Sequence, residues 1–188
     1  DAAANARRAR QLANQRLARL QNALGEHNAA RNRDVNTLRS FVTELDNVAA
    51  PNSYVQSRTQ ARSLFNQAQT AFAGFESGAA ATAQIGIGGF DTHDDHDARH
   101  YPRLMDYLAG VDNIISDAQA RGIADNLIIV MGSDFGRTNK YNNDNGKDHW
   151  SHTSMMVWAG PAIMAGNRVV GATDDLQRSR RINPTTLE

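Results

Sequence analysis

The chain has 188 residues, 40% of them hydrophobic and 21% charged, with a formal net charge of zero and no cysteine. That length fits one domain, or a domain with a helical appendage, and the composition suits a globular protein. Electroneutrality argues against a general nucleic-acid or anionic-membrane binder, and the missing cysteine excludes disulfides, thiolate metal sites and a cysteine nucleophile.

Residues 1–76 are expected to be helical and to form antiparallel helices. Leu12, Leu17, Leu20 and Leu24 lie near helical spacing, and Val35, Leu38, Phe41, Val42, Leu45 and Val48 form a cleaner stripe. Gly25 to Asn28 is a candidate break. Pro51 interrupts the pattern, and Asn52 or Ser53 can cap a new helix carrying Val55, Leu64, Phe65, Ala68, Phe72 and Phe75. The arginines between positions 7 and 19 read as a solvated helix face.

Residues 77–82 read as a linker, and 77–188 as an α/β region. The stretch 83–88 is short, apolar and closed by Gly88-Gly89, as a buried strand would be. Pro102 suits the first turn of a following helix with Leu104, Leu108, Val111 and Ile115 on its buried face, and Gly122 suits its C-terminal cap. Leu127-Ile128-Ile129-Val130-Met131 is a second buried strand. Strand, helix and strand predict a parallel βαβ unit with a right-handed crossover, in a parallel-rich sheet flanked by helices. Residues 134–153 form a long polar loop of the kind that is often functional. Residues 154–158 make a third candidate strand and 166–171 a hairpin or edge strand. No apolar run approaches the roughly 20 residues of a membrane span.

The chemistry collects after the two best strands, in Gly88-Gly89-Phe90-Asp91-Thr92-His93 and Gly132-Ser133-Asp134-Phe135-Gly136-Arg137. Ligands of open α/β sheets bind beyond the strand ends. Parallel neighbouring strands would set Asp91 and Asp134 on one edge, about 4.8 Å apart. Two carboxylates at that range repel unless a cation lies between them. Of the six histidines, five fall in two clusters: His93, His96 and His100, then His149 and His152. Imidazole with carboxylate suits Zn, Mn or Fe. Asp91, His93, Asp134 and His149 are the predicted metal ligands, and Arg137 either clamps an anionic substrate or pairs with an aspartate. Asp94, Asp95 and Asp97 can cap the following helix, and His96 and His100 are expected to be exposed or bonded to loop backbone. Ser133 lacks a nucleophile elbow, and Gly86-Ile87-Gly88-Gly89 is not a phosphate-binding glycine loop.

Four segments together, Gly88-Gly89-Phe90-Asp91-Thr92-His93, Ser133-Asp134-Phe135-Gly136-Arg137-Thr138, Gly146-Lys147-Asp148-His149-Trp150 and Val169-Val170-Gly171-Ala172-Thr173, resemble the domain of unknown function family 1501 in order and spacing. The resemblance implies a bacterial, periplasmic or secreted protein related to the alkaline phosphatase and sulfatase superfamily. It also implies an α/β/α fold and a site for a divalent metal (Zn, Mn, Ca or Mg) that acts on small phosphate or sulfate esters. Phe135 stands where that superfamily has a second ligand, and its nucleophile half has no counterpart here. The chain is therefore expected to be a C-terminal fragment of a hydrolase-like protein. The alternatives are a non-catalytic exported binding or surface protein that keeps the fold, and a helical partner bound through residues 1–76.

Overall fold

The computed structural model describes residues 2–47, 49–163, 168–183 and 185–186. Four α-helices lead the chain: α1 (Ala2–Asp46), α2 (Ser53–Ser57), α3 (Thr59–Glu76) and α4 (His96–Ala120). A short 3-10 helix (Ala124–Asn126) precedes the strands β1 (Ile128–Met131), β2 (Gly136–Arg137), β3 (His149–Trp150) and β4 (Met156–Ala159). The chain divides into two compact units, one of Asp1–Val48 with Thr70–Ala83, the other of Ala49–Gln69 with Gln84–Glu188.

In the first unit α1 runs 45 residues without interruption through Gly25 and Asn28. A single interior glycine costs a helix about 1 kcal/mol, too little to break one rich in Ala, Arg and Leu. The unit also holds residues 70–76 of α3, where Phe72 and Ala73 are buried.

The second unit has a helical core. The Asn52 side chain accepts from the Val55 amide and starts α2. Val55, Ala61, Leu64, Phe65 and Ala68 are buried there, as are Val111, Ile114 and Ala118 of α4. Gly110 is the point of closest approach, since a Cβ on it would lie 3.0 Å from Leu64 Cδ2. Polar groups lock the same helices. Gln69 donates to Asp117 at 2.7 Å, Arg121 Nε donates to Asp117 at 2.9 Å, and Arg121 Nη2 donates to Gln69 at 2.6 Å. Gln69, Asp117 and Arg121 thereby partner one another, as buried polar groups require.

The α4 helix begins at His96, so Pro102 lies inside it rather than in its first turn. Gly122, at φ +72°, follows the helix end and donates its amide to Gln119.

The expected parallel-rich sheet is absent among the described residues. The structure has two two-stranded sheets, β1 with β4 and β2 with β3, both antiparallel. Residues 83–88 form no strand, so no βαβ unit closes around α4. The apolar runs at 127–131 and 154–158 do become strands, but they pair with each other, Ile129 opposite Trp158 and Val130 opposite Val157. Local apolarity marks a strand without stating its partner or direction. Residues 166 and 167 of the candidate hairpin at 166–171 lie outside the described residues, and 168–171 carry no strand. No described helix is long and apolar enough to cross a membrane.

Candidate metal centre

Two loops of the second unit build the site. One, residues 91–95, leads into α4, and the other, 138–148, joins β2 to β3. They are laced by backbone hydrogen bonds: Lys147 donates to Thr92 at 3.0 Å, Asp95 to Asp144 at 3.1 Å and His96 to Asn145 at 2.9 Å. Asn142 adds side-chain bonds, donating from Nδ2 to the His93 carbonyl at 2.9 Å and accepting at Oδ1 from the Gly146 amide at 2.8 Å. Gly146 makes this approach possible, because a Cβ there would sit 1.7 Å from the His93 carbonyl oxygen. The short sheet aligns the rest. Arg137 on β2 is directly opposite His149 on β3, a pairing that brings side chains together on one face.

Three donor atoms converge. His93 Nε2 lies 3.0 Å from Asp91 Oδ1 and 3.1 Å from His149 Nε2, and His149 Nε2 lies 3.5 Å from Asp91 Oδ1. Among the described residues these three form the one metal-competent group, and all are exposed. Nδ1 of His93 faces Asp148 at 3.1 Å. An ionised carboxylate only accepts, so the His93 proton belongs on Nδ1 and the Nε2 lone pair points into the cluster. Asp148 is itself held by Asn142 Nδ2 at 3.1 Å. A carboxylate behind a histidine fixes ring orientation and raises ligand basicity, as at protein metal sites generally. The His149 ring packs on Phe135, centroids 4.0 Å apart.

Both aspartates are ionised at neutral pH. The Arg137 hydrogen bond, above all, holds the Asp91 carboxyl below its ordinary range against the opposing effect of burial, with His149 and His93 adding to it. Asn142 first, then His93, does the same for Asp148. One proton on His149 Nε2 can satisfy only one of the converging contacts, and Arg137 reaches Asp91 Oδ1 at 2.8 Å and His93 Nε2 at 3.4 Å from the side; a cation in the middle would satisfy all three contacts. Tetrahedral bonds of 2.0–2.1 Å place donor atoms about 3.3 Å apart, and octahedral bonds of that length about 2.9 Å. The observed separations of 3.0–3.5 Å fit a cation of that size. Two imidazoles with one carboxylate favour Zn, Mn or Fe over Ca or Mg.

The family comparison matches residues 2–188 to a model of proteins of unknown function, DUF1501. This chain belongs to the DUF1501 family. No curated protein and no solved structure matches it.

In this DUF1501 chain, then, Asp91, His93 and His149 stand together, and Asp134 does not join them. Asp134 is exposed and has no hydrogen-bond or ion-pair partner among the described residues. Arg137 borders the cluster: Nη2 donates to Asp91 Oδ1 at 2.8 Å and to the Phe90 carbonyl at 2.9 Å, and Nη1 donates to the Lys147 carbonyl at 3.0 Å. Asp148 is the residue sequence reasoning passed over. Its signal was the need of any ligating histidine for an acceptor at its other nitrogen, and the acidic neighbour of His149 supplies it to His93 instead. His96 is buried rather than exposed; its Nδ1 meets the buried Thr92 hydroxyl at 2.7 Å, and its ring stacks on His100. Asp95 precedes α4 without a side-chain cap bond, and Asp97 accepts from the Tyr141 hydroxyl at 2.8 Å.

Proposed function

We propose that this chain binds one divalent cation through Asp91, His93 and His149, and that the site serves metal-assisted hydrolysis of a phosphate or sulfate ester. The observation that carries the reading is the convergence of two imidazole nitrogens and one carboxylate oxygen within 3.0–3.5 Å, with Asp148 behind His93. When bound, the cation would polarise the ester oxygen and lower the pKa of attacking water. The chain's own residues would do the rest. Asp148 holds the His93 tautomer, Phe135 orients His149, and Arg137 holds Asp91 while adding fixed positive charge beside the site. Arg137 Nη1 and Nη2 already bond Phe90, Lys147 and Asp91, so its effect on an anionic ester is through its field more than by direct clamping.

Kinship with the alkaline phosphatase and sulfatase superfamily, and the periplasmic or secreted setting it implies, belong to this proposal. They rest on the donor set and the motif order, not on the sheet. One observation favours a second reading, a metal-binding protein without turnover: no described hydroxyl is turned into the cluster. The Thr92 hydroxyl meets His96, and the Ser133 hydroxyl donates to the Phe135 carbonyl at 2.7 Å. Hydrolysis of p-nitrophenyl phosphate and p-nitrophenyl sulfate by zinc- or manganese-loaded protein separates the two. The hydrolase reading expects turnover that a chelator removes and that Asp91→Ala abolishes. Metal binding with no turnover of either ester selects the second reading.

A further inference from the structure

The α1 helix carries a seven-residue repeat that the metal centre does not use. Leu17, Leu24, Arg31, Leu38 and Leu45 occupy one position of it. Leu20, His27, Asp34 and Phe41 occupy the position three residues further on. These are the two core positions of a coiled coil. Of these apolar residues, Leu17 is 55% exposed, Leu20 68%, Leu24 60% and Leu38 62%, while Phe41 and Leu45 are half-buried. Arg31 and Asp34, at the centre of the stripe, are exposed and have no hydrogen-bond or ion-pair partner among the described residues. A long, weakly apolar helix gains most of its stability by burying such a stripe, so a partner is called for.

The charges say which partner. We propose that α1 docks on α1 of a second copy of this chain as an antiparallel coiled coil centred between Arg31 and Asp34. In that register Arg31 of each helix faces the partner's Asp34, twice around the two-fold axis. Leu24 then faces the partner's Phe41, Leu20 the partner's Leu45, and His27 the partner's Leu38. A shift of one heptad either way sets Asp34 against Leu24 or against Leu38, burying a carboxylate on leucine. A parallel pair sets Arg31 against Arg31 and Asp34 against Asp34. A polar residue at a core position fixes register, and like charges brought together reject a pairing. The repeat is thus self-complementary in one orientation and one register, which an unrelated helical partner would not require.

Charge reversal tests this on the full chain, with mass measured by sedimentation equilibrium across a concentration series. Wild type dimerises. Asp34→Arg alone and Arg31→Asp alone are monomeric, a mixture of these two variants forms heterodimers, and Arg31→Asp/Asp34→Arg dimerises again. Both positions changed are exposed on one helix, and unchanged far-ultraviolet circular dichroism checks that the variants fold. The chain has no cysteine, so a spin label on Asn22→Cys reads the orientation. Antiparallel pairing separates the two labels by about 32 Å along the axis, and parallel pairing leaves them within about 20 Å. A monomeric wild type, a dimer indifferent to Asp34→Arg, or the short label distance overturns the proposal.

Discussion

Gly146→Ala probes the contact on which the candidate site depends. The added Cβ would lie 1.7 Å from the His93 carbonyl oxygen and 2.4 Å from the Asp94 nitrogen, so the 138–148 loop has to retreat by about 1.5 Å to reach ordinary carbon–oxygen contact. That movement breaks the bonds from Lys147 to Thr92, from His96 to Asn145 and from Asn142 to His93, which span 2.9–3.0 Å now. At about 0.5–1.5 kcal/mol each, their loss costs about 2–4 kcal/mol. For a chain of this size that lowers Tm by about 4–16 °C. It also carries Asp148 away from His93, so metal affinity falls together with stability. Thermal unfolding by circular dichroism and a zinc titration against a competing chelator read both effects. A variant with wild-type Tm and wild-type zinc affinity would refute the loop geometry.

Three further outcomes follow from the same structure. Asp148→Ala leaves all three ligands in place but removes the acceptor behind His93, so zinc affinity drops about 10- to 100-fold, measured by the same competition; unchanged affinity would mean that His93 needs no such support. Phe65 is fully buried among the helices of the second unit, and Phe65→Ala costs about 3–5 kcal/mol in urea unfolding; a cost below about 1 kcal/mol would show that this core is not packed as described. Burial is the main cause that lowers the titration of His96, and of His100 with it. The unfolded chain therefore binds protons that the folded chain refuses, so stability is full above pH about 6.5 and falls as pH drops below it. Urea unfolding from pH 8 to pH 5 should show this fall, and it should flatten in His96→Gln/His100→Gln; a slope unaffected by that substitution assigns the pH dependence to other groups.

The site was more legible in the sequence than the sheet that frames it. His93 lies two residues from Asp91 in one loop and His149 shares another with an aspartate, so histidine clustering points to His93 and His149, while Asp91 enters the set through the same strand-end argument as Asp134 and keeps its place because it adjoins His93. Asp134 was named on the assumption of parallel neighbouring strands. It follows a real strand, β1, but the neighbour expected for that strand, residues 83–88, forms no strand and bonds its Gly86 backbone to the Gln67 side chain instead, and the shared edge vanishes with it. Glycines at 86, 88 and 89 leave that segment few side chains to pack, which weakens a strand however apolar the residues between them. Direction failed for a related reason. The run at 154–158 reads the same whether its partner is parallel or antiparallel, and only the return of the chain through the long loop sets it beside 128–131 in reverse. Asp148 went unnamed because its role is a hydrogen bond across 55 residues, which no local pattern encodes.

The central claim is that Asp91, His93 and His149 hold one divalent ion. Elemental mass spectrometry of the purified chain, reconstituted with zinc or manganese and desalted, tests it directly beside a His93→Ala/His149→Ala variant that keeps its fold by circular dichroism. The account predicts close to one metal ion per wild-type chain and none in the variant. No retained metal in wild type, or equal metal in both, would contradict it and leave the three residues as a polar cluster held by Arg137.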